Sequence, residues 1–181
     1  MKGLEGYKYE RITSILPECP LFELPIDCDK LTISSGSNSS LYAVLKILSE
    51  KADYLITRLF ENNSPAGMQG VWLCCQSAWR SIVIDDFIPL HKRTGKPAFL
   101  NSNGTVQYYS GQFTWPLLIE KAIAKALGGY AYLSGLSVCS AFKMLTGSNY
   151  LIFRVKEDPS QNQRLLNYLS ECEKKNFIVQ A

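Results

Sequence analysis

The spacing of the apolar residues changes twice along the middle of this chain, which limits it to a fold that mixes helices and strands. After Ser39 the apolar residues recur with helical spacing, which predicts a helix capped by Asn38 and the adjacent serines. The stretches 71–75 and 79–84 are short, apolar and separated by a polar break, as in an antiparallel hairpin. The sequence therefore predicts the α+β class.

Further element boundaries are marked after the hairpin. Thr114 followed by Pro116 predicts the start of a second core helix, with the Thr114 hydroxyl as its cap and Gly128 near its end. Two more helices are predicted, one at residues 137–145 and one that follows the cap Asp158. Strands are predicted at residues 98–100, 150–155 and 177–179.

The first 34 residues differ from the rest of the chain. They hold Pro17, Pro20 and Pro25 among isolated apolar residues, which favours an extended arm rather than a helix. With 181 residues, the chain is long enough for one hydrophobic core. We therefore expect the arm, residues 1–34, to pack on a single domain formed by residues 35–181.

Composition argues against several functional classes. The 19 basic and 16 acidic residues are scattered rather than gathered into a stripe, which makes nucleic acid an unexpected partner. No stretch approaches the roughly 18 apolar residues that cross a bilayer, and no apolar segment follows the charged start. We expect no membrane partner and a cytoplasmic location, with the six cysteines as reduced thiols.

A distinctive run lies in the second predicted helix and just beyond it. From Trp115 to Lys125 the sequence reads W-P-L-L-I-E-K-A-I-A-K, and Gly129-Tyr130 and Ser134-Gly135 follow. Together with the aspartate pair that ends the hairpin, these residues closely resemble the calpain protease core over roughly residues 8 to 181. The resemblance implies the first subdomain of that core, a buried central helix with packed helices and a small antiparallel sheet, without the second subdomain.

In calpains this subdomain presents a nucleophilic cysteine at the start of its long helix, where the dipole and free amides hold a thiolate. Aligning the family motif on this helix puts Ser39 at the cysteine, Asn38 at the preceding aspartate and Ser40 at the following tryptophan. Ile33 stands where the family has a glutamine that donates to the oxyanion. We therefore expect these four positions to be degenerate, with no catalytic residue by that mechanism and no enzyme activity.

The resemblance also implies a catalytic histidine and asparagine that belong to the second subdomain. The only histidine here, His91, lies in a loop that the family does not use for catalysis, so we interpret it as a surface residue. The positions of the family's calcium-binding carboxylates are occupied here by Lys30 and Gln112. Asp29, next to Lys30, is a weak candidate ligand. Because calcium needs several charged oxygens, we expect no metal and no other cofactor.

Other reactive residues have simpler interpretations. Cys74 and Cys75 are neighbours in a predicted strand, so their side chains should point to opposite faces, one of them into the core. Cys139 lies near the start of a short helix without a histidine close in sequence to activate it. Asp85 and Asp86 should also diverge, and the resemblance gives them a structural role.

Two functions stay open. The first is a non-catalytic interaction or scaffolding module of a larger assembly, for which the resemblance suggests the ciliary axoneme as an example. Its protein partner would cover the face that calpains pack against their second subdomain. The second is the N-terminal half of a longer calpain-type cysteine endopeptidase, which the resemblance allows to be calcium-dependent. In that case Ser39 is either an engineered replacement for a cysteine or a serine nucleophile.

Overall fold

The computed structural model describes residues 6–33, 38–62, 67–98, 101–102, 113–153, 155, 162–175 and 177–179. Contacts divide the chain into two compact units, Met1–Ser148 and Asn149–Ala181. No helix in these described ranges is both long enough and apolar enough to cross a membrane.

The first unit holds the helices and strands that surround the core. Its α-helices are α1 (Ile12–Ile15), α2 (Ser39–Lys51), α3 (Asp53–Arg58), α4 (Trp115–Leu127) and α5 (Val138–Thr146), and two 3-10 helices span Cys28–Lys30 and Tyr130–Gly135. Its strands are β1 (Tyr7–Arg11), β2 (Leu31–Thr32), β3 (Met68–Cys75), β4 (Ala78–Asp85), β5 (Phe87–His91) and β6 (Asn101–Ser102). This mixture confirms the predicted α+β class.

Helices α2 and α4 supply much of the core, as their apolar spacing predicts. In α2, Leu41, Leu45 and Leu48 are fully buried, and in α4 the first turn is buried all round. Gly128 ends α4 with a φ of 101°, a left-handed conformation that glycine adopts without steric cost. The predicted Thr114 cap is wrong, because the Thr114 hydroxyl donates to a carbonyl of the N-terminal arm instead.

The hairpin prediction is confirmed by strands β3 and β4. Their register pairs Cys75 with Ala78, which leaves Gln76 and Ser77 as a two-residue turn. Both turn residues have positive φ, 53° and 64°, as in the type I′ turn whose twist matches that of the strands. The hairpin is therefore closed by a tight turn that fixes which side chains share a face.

The N-terminal residues run across the first unit and are paired with it. Strand β1 pairs antiparallel with β5, and β2 pairs with β6. The amides of Thr114 and Trp115, where α4 begins, donate to the carbonyls of Pro20 and Leu21, both at 3.2 Å. The short helix α1 departs from the prediction of a wholly extended arm.

The strand predicted at residues 98–100 lies mostly outside the described residues. Ala98 lies outside any strand, and Phe99 and Leu100 lie outside the described residues. The strand that follows the hairpin is instead β5, which ends at His91. It pairs with β1, about 80 positions earlier in the sequence. A strand whose partner is that distant leaves no hairpin signal in the local sequence.

The second unit contains helix α6 (Gln163–Lys174). Within it, the ring of Phe153 lies 5.1 Å from the ring of Tyr168. The strands predicted at 150–155 and 177–179 are absent from the described part of those stretches. The predicted cap Asp158 lies outside the described residues.

Candidate functional site

Asn38 fixes the start of helix α2 with both ends of its side-chain amide. Its Oδ1 accepts from the amide of Leu41 at 2.8 Å, which is the predicted N-cap bond. Its Nδ2 donates to the carbonyls of Leu133 at 2.6 Å and Leu136 at 3.1 Å, at the end of the second 3-10 helix. The side chain thus caps α2 and ties it to a segment about 100 residues away in the sequence.

Ser39 is the first residue of α2 and is exposed to solvent, whereas Ser40 behind it is half-buried. The amides of a first helical turn have no acceptor within the helix, and the dipole adds partial positive charge there. Such a position lowers the free energy of a thiolate or an oxyanion. The structure thus puts Ser39 where a nucleophile of this fold would benefit from the helix.

Ile33 follows strand β2 and is 42% exposed. Its side chain carries no hydrogen-bond donor, so it cannot supply the donor that the resembled family has at this position. Residues 34–37, between Ile33 and Asn38, lie outside the described residues.

His91 is engaged with the N-terminal arm. It is the last residue of β5 and pairs with Tyr7 of β1, with the two ring centroids 4.8 Å apart. In the described part of the chain no hydrogen bond joins His91 to Ser39. A serine without a base in hydrogen-bond reach is a weak nucleophile, so the described residues do not form a complete catalytic pair.

The position of the weak candidate metal ligand does not fit a calcium ion. The Asp29 side chain is 85% exposed, and its carboxylate lies 3.3 Å from the ammonium of Lys46. The next residue, Lys30, places a second ammonium 2.7 Å from Glu23, and Gln112 lies outside the described residues. Among the residues described, no three His, Cys, Asp or Glu side chains form a group that could hold a metal.

The aspartates that end β4 have separate cationic partners. Lys121 of α4 lies 2.5 Å from the Asp85 carboxylate, while Arg11 lies 2.9 Å from Asp86. Partial burial alone would raise the pKa of Asp85, but the hydrogen bonds from Lys121 and from the Phe87 amide outweigh it and hold that pKa below its usual value. The pair joins β4 to α4 and to β1, which is a structural role.

Five cysteines are free thiols, namely Cys19, Cys74, Cys75, Cys139 and Cys172. Cys74 is buried and Cys75 half-buried, as expected for neighbours on opposite faces of a strand. Burial, and then the nearby Cys74, raises the pKa of Cys75, which disfavours its reactive thiolate.

Two features of the first unit are missed by the sequence reasoning. The first is Glu120 of α4, which is only 1% exposed. Burial, and then the nearby charge of Glu120, raise the pKa of Tyr130. A glutamate among the buried apolar residues at the start of α4 could have signalled this contact. The second feature is a small cavity beside the exposed Trp72 and Trp79, whose members are too far apart in sequence for a pattern to join them.

Comparison with known proteins identifies the relatives of this chain. The family described as "Calpain family cysteine protease" matches residues 3–181. The calpain-type cysteine protease DEK1 of Zea mays is 31% identical over 139 residues, which is 69% of this chain and 6% of that protein. The calpain-1 catalytic subunit of Homo sapiens is 31% identical over 167 residues, 89% of this chain and 22% of that protein. The chain therefore spans less than a quarter of either relative.

These comparisons confirm the resemblance carried by the run from Trp115 to Lys125 and the predicted protease-core fold. They also correct one expectation. The prediction that the chain is not an enzyme is wrong, because the relatives are named as cysteine proteases and the matching family is an enzyme family. The prediction weighed four motif positions and the missing histidine and asparagine of the second subdomain, whereas the family match extends over nearly the whole chain.

Proposed function

The chain belongs to the calpain family of cysteine proteases, and we propose that it forms the first half of a calpain-type protease core, which acts by joining a second, histidine-bearing half. The second half is either the remainder of a longer polypeptide or a separate protein. The matched region makes up only 6% of the maize relative and 22% of the human relative, which is the expected proportion for one part of a larger protease.

The exposed apolar surface of the second unit carries this proposal. Nine large apolar side chains in its described residues are at least 36% exposed. They are Tyr150, Leu151, Ile152, Phe153, Val155, Leu166, Tyr168, Phe177 and Val179. Apolar surface gains about 25 cal/mol for each Å² removed from water, and monomeric proteins rarely leave large contiguous apolar patches uncovered. The density of such side chains in a short unit supports a partner that covers them.

The start of α2 supports a role for the first unit in the same core. Ser39 is exposed at the helix N-terminus, and Asn38 holds that terminus in place. A serine there needs a general base, and in the proposed core the second half supplies it. With Ile33 offering no donor, the backbone amides of Ser39 and Ser40 at the start of α2 can serve to stabilise an oxyanion in that core.

A second candidate function is an interaction or scaffolding module of a larger protein assembly. The same nine side chains favour it, because they need a partner whatever chemistry Ser39 performs. A place in a ciliary axoneme follows from the family resemblance alone and stays a prediction.

The first experiment purifies the native full-length protein under mild conditions and measures the mass and composition of what accompanies it. Leu151→Glu and Leu166→Glu should reduce that association, whereas Leu24→Glu, an equally exposed leucine of the first unit, should not. Equal behaviour of all three variants would contradict the proposal.

The second experiment separates the two candidate functions. The native protein and its Ser39→Ala variant are treated with serine- and thiol-directed peptidyl probes. Labelling that disappears in Ser39→Ala supports the protease core. A stable complex whose labelling does not depend on Ser39 supports the scaffolding module instead.

A further inference from the structure

A small open cavity of about 260 Å³ lies in the first unit, beside helix α3, the β3–β4 hairpin and the end of α5. Its apolar lining comes mainly from Leu55, Leu59 and Leu145, together with the indoles of Trp72 and Trp79. Arg58 is the charged residue in the lining. Pockets for whole small ligands usually span about 300–1,000 Å³, so this cavity suits a single large side chain.

The two tryptophans of this cavity share one face of the hairpin. Trp79 is paired with Cys74, and Trp72 lies two residues from Cys74 on β3, which makes the indoles diagonal neighbours. Both remain exposed, Trp72 at 40% and Trp79 at 48%. The indole of Trp79 packs against Gly147, where a Cβ atom would lie 2.9 Å from the indole ring. The close packing at Gly147 therefore restricts the indole of Trp79 on that side.

Arg58 adds a charge that the described structure leaves unmatched. Its guanidinium lies over the ring of Tyr54, 5.5 Å from the ring centroid. None of the ion pairs among the described residues includes Arg58. A guanidinium presents a planar fork of donors that matches a carboxylate, and tryptophan and arginine are enriched among the residues that dominate binding energy in interfaces.

We propose that this cavity binds a peptide segment of a partner protein in which a large apolar side chain stands next to an aspartate or glutamate. The apolar side chain fills the cavity beside Trp72 and Trp79, and the adjacent carboxylate pairs with Arg58. All residues of the cavity belong to the first unit, so this inference does not depend on the apolar side chains that carry the proposed function.

The test measures fluorescence anisotropy of labelled, acetylated hexapeptides on addition of the full chain. The peptides present Phe-Glu, Glu-Phe, Phe-Gln or Ala-Glu between glycine and serine residues. At least one of the first two should bind saturably with a dissociation constant below about 1 mM, and the Phe-Gln peptide should bind about tenfold more weakly because it lacks the charge.

Variants assign the binding to the cavity. Arg58→Gln should weaken binding of the Phe-Glu or Glu-Phe peptide about tenfold and leave binding of the Phe-Gln peptide unchanged. Trp72→Ala should weaken binding of the charged and the uncharged peptides alike. Arg80→Gln, an arginine of β4 outside the cavity lining, is the matched control and should change neither. Circular dichroism confirms that each variant is folded before its binding is compared.

Three results would overturn the inference. They are the absence of saturable binding up to about 5 mM, equal affinity for the charged and uncharged peptides, and equal losses in Arg58→Gln and Arg80→Gln. The partner-association experiment on the second unit has a different readout, so either proposal can fail while the other stands.

Discussion

Replacement of Asn38 should cost more than replacement of an ordinary helix cap, because its amide makes three hydrogen bonds and not one. In Asn38→Ala the amide of Leu41 loses its acceptor, and the carbonyls of Leu133 and Leu136 lose their donor. Loss of an N-cap costs about 0.5–2 kcal/mol, and each further buried hydrogen bond contributes about 0.5–1.5 kcal/mol. We expect a loss of about 2–4 kcal/mol in the free energy of unfolding.

Ser137→Ala is the matched control for this change. Ser137 is exposed and caps α5, where its hydroxyl accepts from the amide of Ser140 at 3.2 Å and donates to the hydroxyl of Ser140 at 3.0 Å. Its removal should therefore cost only about 1 kcal/mol. The two variants share the loss of an N-cap, so the larger cost expected for Asn38→Ala reports on the two buried bonds that Asn38 donates to the carbonyls.

Asn38→Asp gives a second, independent comparison. The carboxylate keeps the acceptor for Leu41, but it loses both donors and brings negative charge against the carbonyls of Leu133 and Leu136. We expect it to be no more stable than Asn38→Ala at neutral pH. Urea unfolding followed by tryptophan fluorescence measures all three variants. The reasoning is refuted if Asn38→Ala costs no more than Ser137→Ala, or if Asn38→Asp is as stable as the unchanged protein.

Two further predictions concern Gly147 beside Trp79 and the ion pair between Lys121 and Asp85. Gly147→Ala should cost about 1–3 kcal/mol, because its φ of 69° disfavours a side chain and the new Cβ would press on Trp79, whereas Gly135→Ala, with nothing within 4 Å, should change the urea midpoint little. Lys121→Met should reduce the difference in urea midpoint between pH 7 and pH 3. The pKa of Asp85 is lower in the folded state, so its stabilising effect is present above the usual aspartate pKa and is lost on acidification. Since Asp85 is largely exposed, that effect should stay below about 1 kcal/mol, and equal pH dependence in both proteins would contradict it.

The elements that the sequence predicts well are those whose signals are local. Helices α2, α4 and α5 each bury an apolar stripe and begin or end at a recognisable residue, and the β3–β4 hairpin closes within two residues. Strand β5 is missed because its partner β1 lies far away in the sequence. Thr114 is assigned the wrong acceptor for a similar reason, since its hydroxyl bonds to the arm at Pro20 rather than to its own helix.

The candidate site shows the same division between local and distant contacts. Residue type is enough to predict that Asn38 caps α2, because the capped amide is three residues away. The two bonds to the second 3-10 helix join residues 95 and 98 positions apart, so no periodic pattern could reveal them. The cavity around Trp72 and Arg58 is likewise assembled by tertiary packing alone.

If Asn38 stands where the family has an aspartate, as the sequence predicts, the difference has a structural explanation that does not involve catalysis. An ionised aspartate can accept from the helix but cannot donate to two carbonyls. The side-chain amide of Asn38 and the carbonyls of Leu133 and Leu136 therefore act together as one hydrogen-bonded unit. Restoring the motif at Asn38 would disturb that unit and lower stability whatever happens to activity. Ser39 is exposed and makes no comparable bond, so its chemistry can be changed by itself. A test of catalysis in this chain should accordingly vary Ser39 and leave Asn38 in place.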